Sequence, residues 1–123
     1  MLPVTDKAVI LLVEDEALLL EMTKCDLEDL GFTVITASDG DAALQILQAG
    51  VSISALLTDI RMPGLHDGWE LARRVRDLHP GLPVIYASGY STSTPHPVEG
   101  SIFLQKPYRL NDIEKALESL CVC

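Results

Sequence analysis

The chain has 123 residues, a net charge of −9 and an apolar share of 48%. That length and composition suit one globular domain and exclude a disordered chain, and no apolar run is long enough to span a bilayer. The acidity argues against nucleic acid or an anionic membrane as a direct partner, and three cysteines without a CxxC pair (Cys25, Cys121, Cys123) fit a reduced, cytoplasmic protein better than a disulfide framework.

The first element is "AVILLV" (8–13), a short apolar run that ends directly in Glu14, Asp15 and Glu16. Those acids, and the lack of a basic start, rule out a signal peptide. A helix follows, with Leu20, Thr23, Leu27 and Leu30 at helical spacing and Gly31 as its stop. "FTVITA" (32–37) is the second strand. Ser38 or Asp39 caps a second helix that carries Ala43, Leu44 and Leu47 towards Gly50. "ISALLT" (53–58) is the third strand, and it ends on Asp59 with the turn Met62-Pro63-Gly64 just beyond. A third helix opens at Asp67 with Glu70 three residues on, a capping-box spacing. It buries Leu71, Val75 and Leu78 and stops before Pro80. "LPVIYAS" (82–88) and "SIFLQ" (101–105) are the last two strands, and a final helix carries Leu110, Ile113, Leu117 and Leu120. Between these two strands "YSTSTPHPVEG" (90–100) has Pro95 and Pro97 and no helical period. Proline inside a helix costs on the order of 3 kcal/mol, so a loop or a single turn is expected there.

Short strands apolar on both faces, alternating with helices, predict a parallel sheet covered on both sides. Ligands of such sheets bind beyond the carboxyl ends of the strands. Asp15, Asp59, Ser88 and Lys106 come from four strand ends and therefore converge on one edge. Glu14, Asp15 and Asp59 would form a carboxylate cluster. Two such charges about 4 Å apart repel by roughly 4 kcal/mol at an effective dielectric near 20, so either an acid is protonated or a cation sits between them. Oxygen-only donors suggest a hard cation, magnesium above all. With Lys106 as a positive charge and Ser88 as a hydroxyl donor, the set suits phosphoryl transfer to a carboxylate, Asp59 being the nucleophile candidate. Taken singly, each residue has a plainer reading: Asp15 as a helix N-cap, Asp59 as a loop acid, Ser88 as a turn residue before Gly89, Lys106 as a surface residue before Pro107. Those readings must all hold at once, each at a matching strand tip. His66, His79 and His96 show no metal spacing, and Trp69 reads as a helix-surface or packing residue beside the site.

"LLVEDE", "LLTDIRMPG", "DGWEL", "PVIYASGY" and "FLQKPY" occur in the order that resembles the receiver domain of two-component response regulators, over the whole chain, 1–123. The resemblance implies a doubly wound five-stranded sheet of order 2-1-3-4-5 with helices on both faces, the helix between the fourth and fifth strands being short or replaced by a loop. It makes Asp59 the phosphoacceptor. Glu14, Asp15, Asp59 and the backbone carbonyl of Arg61 are then the magnesium set. Lys106 and Ser88 contact the phosphoryl group, and Phe103 is the switch aromatic where tyrosine is frequent. It further implies a sensor histidine kinase or phosphotransfer protein as donor, a downstream protein target, no direct nucleic-acid contact and no membrane insertion. Such a domain catalyses its own phosphorylation and dephosphorylation. The third helix is approached by one residue more than in many receivers. "YASGY" also resembles single-domain receivers that lack a regular helix after the fourth strand. The chain ends soon after its last helix, which leaves a stand-alone regulator and a piece of a hybrid kinase both open. Two other classes share the architecture. A haloacid-dehalogenase-type aspartyl phosphatase needs an acid two residues after its nucleophile, where this chain has Arg61. A flavodoxin-like flavin binder needs a small, hydroxyl-rich first loop, where this chain has three acids.

Overall fold

The structure, a computed structural model, describes residues 8–61, 67–89, 97–120 and 122. Its elements in chain order are β1 (Val9–Val13), α1 (Ala17–Asp29), β2 (Thr33–Ala37), α2 (Gly40–Gln48), β3 (Ala55–Asp59), α3 (Gly68–Leu78), β4 (Val84–Ser88), β5 (Ile102–Gln105) and α4 (Leu110–Ser119). The five strands form one parallel sheet of order β2-β1-β3-β4-β5. The strand order reverses beside β1, which opens a crevice between the carboxyl ends of β1 and β3.

Local chemistry sets the helix limits. Gly31 stands at φ 99 and its N–H donates to the Glu28 carbonyl, while the Phe32 N–H reaches back to Leu27, so α1 closes on a left-handed cap. Of the two cap candidates for α2, Asp39 caps it, accepting the Ala42 N–H at 2.8 Å. Asp67 does the same for α3 through the Glu70 N–H at 2.9 Å, and the Glu70 carboxylate pairs with Arg73.

The helices cover both faces. Leu11, Leu56, Val84 and Tyr86 pack with α2 and α3. Ile10, Leu12, Leu57, Ile85 and Ala87 pack with α1 and α4. Trp69 is buried within the first of these layers, its ring 4.5 Å from that of Tyr86 and tilted by 56°. The Tyr86 hydroxyl, wholly buried, accepts the Val98 N–H at 3.0 Å. The expected irregular segment 90–100 falls largely outside the described residues, as do Cys121, Cys123, His66, His96 and the turn Met62-Pro63-Gly64. Its described part, 97–100, is coil and turn, ending on Gly100 at φ 75.

Candidate functional site

Strand parity decides which side chains meet. Alternate residues of a strand share a face. Leu12, Leu57 and Leu104 all belong to the α1 and α4 side. Glu14, Asp59 and Lys106 follow each of them by two positions and emerge together at the same sheet edge. The Lys106 ammonium lies 2.6 Å from Glu14 Oε1 and 3.1 Å from Asp59 Oδ2. Ser88 and Phe103 have the opposite parity. Ser88 is two residues beyond Tyr86, and Phe103 is the register partner of Tyr86 on β5. Ser88 is buried, and its carbonyl accepts the Lys106 N–H at 2.8 Å. Phe103 sits on the edge strand and is 48% exposed.

The acids are held from several sides. Asp59 Oδ1 accepts the Ile60 N–H at 2.7 Å, which leaves Oδ2 to Lys106. Thr58 donates its hydroxyl to the Asp59 carbonyl at 2.8 Å. Glu14 is 4% exposed, and its Oε2 accepts the Glu16 N–H at 3.1 Å. Burial pushes the Glu14 carboxyl up to about 7, with the Asp59 charge adding to the rise and the bonds to Lys106 and Glu16 opposing it. For Lys106, burial alone would lower the pKa, but the Glu14 hydrogen bond and the two carboxylate charges outweigh it and hold the ammonium above its ordinary value.

Asp15 is exposed at the rim, and Glu16, not Asp15, is the α1 N-cap residue, so the capping explanation of Asp15 fails. Ligand oxygens of Glu14, Asp15 and Asp59 all lie within 4.8 Å of one another. Three oxygen donors without nitrogen or sulfur fit a hard divalent cation. Arg61 is exposed two residues beyond Asp59.

Gly68 is a site residue whose role went unread in the sequence. Its N–H donates to the Ile60 carbonyl at 2.7 Å, and a Cβ at this position would lie 2.2 Å from the Asp59 carbonyl oxygen and 2.7 Å from Ile60 Cα. The first turn of α3 therefore rests directly on the strand tip that carries Asp59. The available signal was a glycine in a helical first turn, where it costs about 1 kcal/mol against alanine. Gly68→Ala is expected to destabilise the fold by about 2 kcal/mol, an overpacking cost. Urea unfolding of the variant measures it, and unchanged stability would show that α3 moves away freely.

The profile of the response regulator receiver domain matches residues 10–118. The chain is 32% identical over 117 residues to the response regulator receiver protein CpdR of Brucella abortus, covering 92% of this chain and 96% of that one. It is 32% identical to the transcriptional regulatory protein FixJ of Bradyrhizobium diazoefficiens and 31% identical to the sensor kinase CckA of Brucella abortus, but spans only 57% and 12% of their lengths. These matches cover 94% and 92% of this chain. Among solved structures, a response regulator receiver protein from Sinorhizobium medicae superposes with a TM-score of 0.88 at 36% identity, over 94% of both chains. The response regulator TrrA of Thermotoga maritima, solved in complex with Mg2+ and BeF, gives 0.82 at 26% identity, over 92% of this chain and 98% of that one. These matches do not favour the phosphatase or the flavin-binding alternative. With a profile match across nearly the whole chain and relatives that share its fold and its sequence, the protein belongs to the response regulator receiver domain family, the phosphoacceptor domains of two-component signalling.

Proposed function

We propose that Asp59 is the residue that takes up the phosphoryl group. The observation that carries this reading is the setting of its carboxylate: oriented by the Ile60 N–H, bonded to Lys106 and clustered with two further acids at the crevice. A carboxylate oxygen of Asp59 attacks phosphorus, the bond from phosphorus to the donor's imidazole nitrogen breaks, and that nitrogen keeps the electron pair. The product is an aspartyl phosphate.

Glu14, Asp15, Asp59 and the Arg61 carbonyl would hold magnesium. When bound, magnesium supplies positive charge against the phosphoryl oxygens. Lys106, bonded to both Glu14 and Asp59, supplies the second positive charge. Support comes from the oxygen-only donor set and from the Mg2+ and BeF complex of the relative TrrA. The Ser88 hydroxyl donates to the phosphoryl group in the active state. Phe103 has no hydroxyl, so switching through it rests on the packing of its ring.

The relatives include sensor kinases, which supports a histidine kinase or phosphotransfer protein as phosphoryl donor. In this reading residues 1–123 form one receiver domain that works in the cytoplasm, promotes its own phosphorylation and dephosphorylation, and passes the signal to a protein rather than to nucleic acid. Among the described residues no helix is long and apolar enough to cross a membrane. Incubation with acetyl phosphate and magnesium, followed by peptide mapping, tests the assignment. The adduct is expected on the peptide that carries Asp59; an adduct on any other acid overturns it.

A further inference from the structure

Thr23 interrupts the apolar stripe of α1 between Leu20 and Leu27, yet it is 3% exposed. A hydroxyl buried among leucines needs a partner. Its partner lies 85 residues away: Thr23 Oγ1 and the Tyr108 hydroxyl share a hydrogen bond of 3.1 Å. The Tyr108 ring packs on the α1 and α4 layer. Burial raises its phenol above the ordinary value, so the group stays neutral at physiological pH.

The location of this bond gives it significance. Tyr108 follows Lys106-Pro107 directly. The Lys106 N–H is tied to the Ser88 carbonyl on β4, so the turn is pinned to β4 before the proline and to α1 after it. The α1 helix begins two residues after Asp15, at the crevice. The hydroxyl pair thus joins the turn that carries Lys106 to the helix that follows Glu14 and Asp15.

We propose that Thr23 and Tyr108 form a positioning pair, fixing the Lys106 turn against α1 so that the ammonium stands between Glu14 and Asp59, and thereby setting the rate of phosphoryl uptake. This rests on the roles given above to Asp59 and Lys106.

The test uses the full chain, acetyl phosphate and magnesium. Tyr108→Phe keeps the ring and Thr23→Val keeps the branched shape, so packing is preserved while the bond is lost. Each is expected to lower the maximal rate of uptake about ten-fold, the scale of loss that a small misplacement produces, with magnesium affinity unchanged. Thr23→Ser, which retains the hydroxyl, should retain the rate. Because the pair acts through Lys106, adding Tyr108→Phe to Lys106→Ala should slow uptake no further. A wild-type rate in Tyr108→Phe would overturn the proposal. So would an equal slowing in the Lys106→Ala background, or a fall in magnesium affinity in step with the rate. No adduct at Asp59 in the wild-type chain would instead bring down the underlying reading, and the proposal with it.

Discussion

Asp59→Asn is expected to reduce phosphoryl uptake from acetyl phosphate to background, and Lys106→Ala to slow it by about a hundred-fold. The two effects differ in kind. Asparagine keeps the size of Asp59 and an oxygen for the Ile60 N–H, which Asp59 now holds at 2.7 Å. It lacks the carboxylate nucleophile, and neither Glu14 nor Asp15 can replace it. Glu14 is engaged by Lys106 and the Glu16 N–H, and Asp15 stands at the exposed rim. Lys106 instead supplies charge. Loss of one oriented donor at a developing anionic centre costs about 10²–10³ in rate, and the nucleophile survives. Initial rates of adduct formation, followed by mass spectrometry with magnesium in excess, separate the two. Uptake that persists in Asp59→Asn removes Asp59 from its role. An unaltered rate in Lys106→Ala removes the lysine from the chemistry and leaves it as a structural partner of Glu14.

Much of this site could be read from strand tips alone. Runs such as "AVILLV" and "ALLTD" are apolar on both faces and stop on acids, so the parallel sheet and the edge where Asp59, Asp15 and Lys106 gather follow from the order of elements. The division of labour between Glu14 and Asp15 was less legible. Two adjacent acids look alike in a sequence. Only the register shows that Glu14 shares the parity of Asp59 and Lys106 and lies buried, while Asp15 faces solvent. Trp69 was equally ambiguous, because burial at the second residue of a helix depends on what the neighbouring strand offers, and here Tyr86 offers a ring. Thr23 fell within the helical repeat, but its reason lies 85 residues downstream, beyond any local pattern. For Gly68 the cause is contact with the backbone at Asp59 and Ile60, which no periodicity reports.

In the absence of magnesium, stability is expected to fall as the pH rises from about 5 to 7, a loss carried by Glu14. Its carboxyl sits at about 7 in the folded chain against an ordinary 4.5. Between those values the folded protein holds a proton that the unfolded chain has released, so unfolding is favoured by raising the pH. The contribution is fully present below 4.5 and is lost as the pH passes through about 7. At roughly 1.4 kcal/mol per unit the full loss is roughly 3–4 kcal/mol at most. The two partners of the ion pair pull in different directions. Lys106 gains proton affinity from the Glu14 charge, whereas Glu14 resists carrying that charge. Burial decides, because the Glu14 side chain is 5% exposed and that of Lys106 19%. The stabilisation linked to Lys106 persists through this window and is lost only in strongly alkaline solution, since its pKa is raised from 10.5. Urea unfolding at several pH values in a chelating buffer measures the slope. Glu14→Gln, which has nothing to titrate, should flatten it. Saturating magnesium should flatten it too, because a divalent cation favours the ionised acids and binds only the folded site. A wild-type slope that survives unchanged in Glu14→Gln would mean that other groups carry the pH dependence and that the buried glutamate is ionised throughout.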